Sequence, residues 1–180
     1  MNRIASLIVF ITLGFFLITS CGPKKTKEQL YAEALEFEKK ENFKEAIATY
    51  EQLLKDYPQI DSADSILFKV GQMYSNNLLD FQHAIDAHKR LIKKYPNSKF
   101  SAQSLFMIGY HYANSISDTV EARKYYEKFL EQYPEHELAK SVQWELNYLG
   151  KDINEIDFLK SGTFGETKQD SGSSKPSNAN

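Results

Sequence analysis

Three stretches of the chain are versions of one another. Glu51–Pro58 reads EQLLKDYP, Lys89–Pro96 reads KRLIKKYP and Glu127–Pro134 reads EKFLEQYP. Their prolines stand 38 residues apart both times. Ala46, Ala84 and Ala122 keep the same interval, as do Asn42, Asp80 and Asp118, and Gly71 and Gly109 are also 38 apart. Three of the five prolines therefore mark a period. A fixed period of roughly 20–50 residues is the mark of a stacked-repeat architecture.

Each period reads as two helices. The second begins at Asn42, Asp80 or Asp118, whose side-chain oxygens suit an N-cap, and Glu45 and Glu121 follow at capping-box spacing. Ala46, Ile47, Tyr50, Leu53 and Leu54 then fall on one helical face. The Tyr-Pro pair ends the helix, because proline drives the preceding residue out of the α region. The first helix carries Leu30, Ala34 and Phe37, then Leu67, Gly71 and Tyr74, then Leu105, Gly109 and Tyr112. The small residue in each triplet lets the paired helices approach closely. Asn76 and Asn114, just past two first helices, suit a left-handed C-cap and equally suit bonding to the backbone of a bound peptide.

These positions resemble the tetratricopeptide repeat pattern W-x2-L-G-x2-Y…A-x3-F…P. Repeat one supplies Leu30, Glu33, Ala34, Phe37, Ala46, Tyr50 and Pro58. Repeat two supplies Leu67, Val70, Gly71, Tyr74, Ala84, His88 and Pro96. Repeat three supplies Leu105, Ile108, Gly109, Tyr112, Ala122, Tyr126 and Pro134. Glu33 replaces a leucine, His88 an aromatic, and leucine replaces tryptophan throughout. The period exceeds the family's, which is about 34 residues, and most of the excess lies after the proline. The resemblance implies an all-α TPR-like α-solenoid of three helical hairpins, over 28–58, 61–96 and 99–134, with a capping helix at 135–150. Ala139, Val142, Leu146 and Leu149 form that helix's buried face. Residues 151–160 read as a short extension through Ile153, Ile156, Phe158 and Leu159. Residues 161–180 are polar and small, a composition that buries no core.

Ahead of the repeats, Met1–Arg3 is short and positive, and Ile4–Ile18 is almost wholly apolar. That run falls short of the roughly 20 residues a spanning helix needs and fits the h-region of a signal peptide over 1–20. Leu17-Ile18-Thr19-Ser20-Cys21 resembles a bacterial lipobox. The resemblance implies cleavage before Cys21, a thioether lipid on its sulfur and a palmitate-class acyl chain on the new amino group. Gly22 rather than aspartate after Cys21 favours the outer membrane by the sorting rules of such lipoproteins, with the body facing the periplasm. Residues 21–27 read as a spacer whose Lys24, Lys25 and Lys27 are solvated or face anionic headgroups.

Twenty-two basic and 24 acidic residues give a net charge of −2, which leaves no electrostatic footprint for nucleic acid. A single cysteine excludes an internal disulfide framework and a thiolate zinc cluster. No phosphate-binding glycine loop or His-Glu-x-x-His is present, and His83 and His88, five apart, miss the metal-ligand spacing. No nucleophile, base and stabiliser combine into a catalytic set. The expectation is a non-enzyme with neither cofactor nor metal, in which His88 is a packed replacement for an aromatic.

In tetratricopeptide arrays the first helices line a concave face. Carried over residue by residue, its inward positions are Tyr31, Phe68, Phe106 and Trp144, then, one turn on, Leu35, Gln72, Tyr110 and Tyr148. Tyr31, Phe68, Gln72, Phe106, Tyr110, Trp144 and Tyr148 are the candidate groove for a protein segment, aromatics being the usual interface anchors. The same rings equally suit ordinary core between neighbouring helices. A lipid-anchored array also resembles the BamD-type lipoproteins of outer-membrane β-barrel assembly, which implies as partners barrel-assembly subunits and unfolded outer-membrane proteins. A second resemblance is to the periplasmic Tol–Pal coordinator, whose usual coiled coil has no counterpart before Leu30. A generic envelope adaptor is the third alternative.

Overall fold

The computed structural model describes residues 24–151. The expectations for the signal peptide, Cys21, residues 152–160 and the 161–180 tail lie outside the described residues. Seven α-helices follow in order: α1 (Lys27–Lys39), α2 (Phe43–Asp56), α3 (Ala63–Asn76), α4 (Phe81–Lys94), α5 (Ser101–His111), α6 (Thr119–Gln132) and α7 (Ala139–Tyr148), with a π-helical turn (Tyr112–Ile116) continuing α5. Each helix packs on its sequence neighbours. The result is an all-α solenoid of three hairpins closed by α7.

The hairpins turn in one way three times. Glu41, Leu79 and Ser117 each take a left-handed conformation (φ 57°, 54° and 63°) immediately before the second helix opens. The amides of Asn42, Asp80 and Asp118 then donate back to the carbonyls of Phe37, Tyr74 and Tyr112, at 2.9, 2.9 and 2.8 Å. The left-handed residue is thus neither Asn76 nor Asn114, as the sequence suggested, because the returning amide fixes the bend one residue before the N-cap. Asn77, which follows Asn76 as the C-cap of α3, is right-handed, and Asn114 lies within the π-turn, its side chain donating to the Tyr110 carbonyl at 3.1 Å. The loop from Phe37 to Asn42 is one residue shorter than its two counterparts. The extra residue is taken up by widening the helix end, through a bond from Leu78 N–H to Met73 C=O at 3.1 Å in repeat two and the π-turn in repeat three.

The caps follow the expectation in part. Asp80 accepts from the His83 amide at 3.2 Å and Asp118 from the Glu121 amide at 3.0 Å. Asn42 makes no side-chain cap bond. The Glu121 carboxylate turns to Lys124 at 3.0 Å instead of closing a capping box. The box forms at α1, between Thr26 and Gln29.

Tyr57, Tyr95 and Tyr133 end their helices with nearly identical backbones (φ −132°, −131° and −134°), as proline requires of the residue before it. Two successive tight turns follow each time. The amides of Ile60, Ser98 and His136 bond back to the tyrosine carbonyls, and those of Ala63, Ser101 and Ala139 to the carbonyls of residues 60, 98 and 136. This double turn is the extra length of the repeat. It also moves the start of the capping helix from the expected Glu135 to Ala139, since residues 135–138 repeat the turn.

The core is built on the close approach of paired helices. A Cβ on Gly71 would lie 2.7 Å from His88 Nε2, and one on Gly109 would lie 2.6 Å from the Tyr126 ring. Leu53, Val70, Leu91, Ile108, Phe129 and Val142 are fully buried around these contacts. His88 occupies the aromatic position as a buried imidazole, with Nδ1 3.2 Å from Ser104 Oγ. Burial depresses its pKa to about 3, with the charge of buried His111 adding to the effect, and burial lowers His111 as well.

Gly109→Ala gains helix propensity of about 1 kcal/mol but forces a ring out of place, which costs about 1–3 kcal/mol. The expected net is a loss of stability in chemical denaturation, partly relieved by Tyr126→Leu in the same chain. Acid provides a second check. The folded histidines sit below the unfolded value of about 6.5, so only the unfolded chain takes up protons as pH falls below it. Stability is therefore full above about pH 6.5 and declines toward the folded pKa, by about 1.4 kcal/mol per pH unit for each such histidine. His88→Phe is expected to flatten that slope in urea titrations at pH 7, 6 and 5.

Candidate functional site

The seven candidate groove residues do not form one continuous stripe. Phe68 is buried, stacked on Phe100 with centroids 4.9 Å apart and edge-on to His88 at 5.4 Å. It belongs to the core, because the double turn after Pro96 places Phe100 over it. Its withdrawal divides the face in two. At one end Tyr31, 37% exposed, meets Tyr50 edge-on at 6.0 Å. It borders an open hollow of about 340 Å³ with Lys27, Glu28, Ile60 and Ser62. Gln72 is exposed between the two ends.

At the other end stand two pairs of rings, one on α5 and one on α7. Phe106 is half-buried, 5.9 Å from Tyr110 and 6.3 Å from Tyr126. Tyr110 is 40% exposed, and Trp144, 44% exposed, lies 5.0 Å from Tyr148. Exposed rings amid polar surface are suited to gripping a partner, offering large contact area on few rotatable bonds. The candidate site is therefore the α5–α7 face, with Tyr31 as a separate contact.

Two ionic groups beside these rings escaped the sequence reading. At the seam between repeats one and two, the buried Tyr50 hydroxyl donates to Glu38, and Lys69 Nζ reaches the same carboxylate at 3.0 and 3.2 Å. Lys69 also stands 5.6 Å above the Tyr50 ring. Desolvation and then the Glu38 hydrogen bond drive the Tyr50 pKa up. On α7, Glu145 is half-buried, and that burial raises its pKa. The 38-residue register would have located both sets, but charged residues on a helix face read first as solvated.

The lysines at the start of α1 are exposed and also find acceptors. Lys25 pairs with Glu33 at 2.6 Å, Lys24 with Asp56 at 3.6 Å while lying over the Tyr57 ring, and Lys27 with Glu28 at 3.8 Å. Tyr57 Oη donates to the Lys25 carbonyl at 2.8 Å. Lys24 and Lys25 thus tie the entering chain to the first hairpin while staying exposed, because Glu33 at a family leucine position and Asp56 at a helix end offer them acceptors.

The histidines serve structure. His83 contacts Asp80 at 2.8 Å and stacks on Tyr74, which holds the Asp80 carboxyl below its usual range. His136 Nδ1 accepts from the Leu138 amide at 3.1 Å. Among the described residues no three His, Cys, Asp or Glu side chains converge to hold a metal, and no helix is long and apolar enough to cross a membrane.

A family model for the tetratricopeptide repeat matches residues 30–59, 66–98 and 103–136, more than half of the 180 residues. The chain belongs to the tetratricopeptide repeat family. Its matched segments coincide with the three hairpins, and the fold of this family is typically a non-catalytic scaffold that binds protein partners. Solved structures similar to this chain include the C-terminal tetratricopeptide-containing domain of an FK506-binding protein from Plasmodium falciparum. The two share 18% identity and a TM-score of 0.46 over 77% of this chain and 97% of that one. No curated protein matches.

Truncation separates the buried ring from the exposed ones. Phe68→Ala is expected to cost about 3–5 kcal/mol and to lower the melting temperature sharply. Tyr110→Ala and Trp144→Ala are expected to stay within about 1 kcal/mol of the parent while weakening capture of a partner. Circular dichroism melts and pull-down of the same variants give the comparison.

Proposed function

We propose that this tetratricopeptide-repeat chain is a lipid-anchored scaffold of the bacterial cell envelope. In this reading it is held by Cys21 in the outer membrane, faces the periplasm and brings protein partners together during assembly of outer-membrane β-barrel proteins. The scaffold part follows from family membership. The anchor rests on one observation, the lipobox-like Leu17–Cys21 at the end of an apolar run that directly precedes the repeats.

The physical chemistry of that arrangement is coherent. A single acyl chain binds a bilayer only marginally, and two or more make the attachment lasting at about 0.8 kcal/mol per buried methylene. Only Gly22 and Pro23 separate Cys21 from Lys24, where the ion pairs with the first hairpin begin. Three virtual bonds span roughly 10 Å at most. A lipid on Cys21 would thus hold the α1–α2 end near the headgroups and leave the α5–α7 face toward the aqueous side, open to partners. The Tol–Pal coordinator and generic adaptor readings share this scaffold chemistry and differ in the partner they name.

Mass spectrometry of the membrane-extracted protein is expected to show a mature chain starting at acylated Cys21. Cys21→Ser should move the protein to the soluble fraction, and retention of that variant in the membrane would overturn the anchor. Cross-linking in the envelope is expected to recover barrel-assembly subunits, whereas recovery of Tol–Pal components alone would reject the assembly role.

A further inference from the structure

The repeat register lets the three seams of the solenoid be compared atom group by atom group. Three positions matter. The second-helix aromatic position is Tyr50, His88 and Tyr126. The following first helix contributes Lys69, Met107 and Glu145, two residues after the buried leucine in the first two cases. The end of the preceding first helix contributes Glu38, Ser75 and Ala113. Positions 50, 88 and 126 and positions 69, 107 and 145 recur every 38 residues.

At the first seam the set is complete. A phenol, a carboxylate and an ammonium satisfy one another through the bonds of Tyr50 and Lys69 to Glu38. At the middle seam the set is replaced. His88 turns to Ser104, and Ser75 bonds to the Gln72 carbonyl at 3.1 Å. At the last seam the phenol and a carboxylate are present, but among the described residues no cation pairs with the carboxylate, and Lys151 stands 5.2 Å over the Tyr148 ring instead. Tyr126 is fully buried, and its hydroxyl has no hydrogen-bond partner among the described residues. Glu145 stands where Lys69 stands in the first seam, near enough for its charge to act on the Tyr126 phenol, with the Tyr110 phenol also close by. Ala113 replaces Glu38, so the carboxylate has moved across the seam to α7. No hydrogen bond or ion pair to another described residue accompanies Glu145. A buried hydroxyl without a partner among the described residues is costly, and the first seam shows which groups resolve the cost.

We infer that the last seam is a receptor for a cation carried by the partner: a lysine or arginine side chain of a bound protein segment enters beside Tyr110 and pairs with Glu145 next to the Tyr126 hydroxyl. Charge complementarity selects this occupant. Glu145 brings a carboxylate to the Tyr126 phenol, and the exposed rings of Tyr110 and Trp144 on the same surface attract ammonium and guanidinium groups. A neutral apolar segment would bury Glu145 without a counter-charge, and an acidic one would be repelled by it. The inference deepens the scaffold reading and rests on it only for the existence of a protein partner.

Trp144 is the only tryptophan of the chain and lies at the proposed site, so its fluorescence reports occupancy. The full chain in neutral detergent is titrated with the blocked pentapeptide Ala-Leu-Lys-Leu-Ala, with its arginine counterpart, and with a version carrying norleucine in place of lysine. Saturable responses are expected for the two basic peptides, with the norleucine peptide weaker by about tenfold or more. Glu145→Gln should erase that preference. Ala113→Glu combined with Glu145→Lys rebuilds the first-seam set within the chain. It should raise the melting temperature and abolish the response to the basic peptides, which also guards against reading simple unfolding as lost binding. Equal binding of the neutral peptide, a preference surviving Glu145→Gln, or silence toward all three peptides overturns the inference. Recovery of the same cross-linked partners by Glu145→Gln as by the parent would reject the cation receptor while leaving the scaffold standing.

Discussion

The structure depends on a contact between a helix backbone and a ring. Gly109 lets the Tyr126 ring lie directly on α5, Gly71 does the same for His88, and Ala34 is the small residue facing its own hairpin partner. That closeness brings the leucines at 53, 67, 91 and 105 into full burial and sets the spacing at which the next hairpin stacks. A solenoid has no central core, so each seam must be stable by contact with its neighbours alone. A few tenths of an ångström at the glycine are therefore felt first in the seam beside it.

Given that frame, the three seams carry different chemistry on one geometry. The first is ionic and satisfied, the second is neutral and packed around an imidazole, and the third presents aromatic rings and a carboxylate to solvent. Backbone turns at Glu41, Leu79 and Ser117 and chain stops at Tyr57, Tyr95 and Tyr133 are nearly superimposable, so the differences lie in side chains rather than in fold. The exposed rings of Tyr110 and Trp144 lie toward the seam closed by α7.

Much of the architecture was legible because proline and glycine act through the backbone. The Tyr-Pro pairs fixed helix ends, and the small residues at 34, 71 and 109 fixed which faces meet. What escaped depended on contacts between residues distant in sequence. Phe68 shares its register with half-buried Phe106 and exposed Trp144, but Phe100, thirty-two residues later, covers it. The left-handed residues are Glu, Leu and Ser, types with no preference for that conformation, held there by the returning amide. Glu135 looked like a helix start because nothing local announces that the double turn recurs after Pro134. Glu38, Lys69 and Glu145 were passed over because a charge on a helix surface carries no sign of its neighbour across a seam.

The imidazole at the middle seam has a mechanical meaning. His88 belongs to the second hairpin and bonds to Ser104 of the third, so it bridges the joint that divides the array into two nearly equal parts. Protonating it in the interior would cut the stack at its centre. Neither fragment would then hold the three layers that such stacks generally need. Acid should thus not peel hairpins from an end but fracture the rod through its midpoint, and both halves should come apart together.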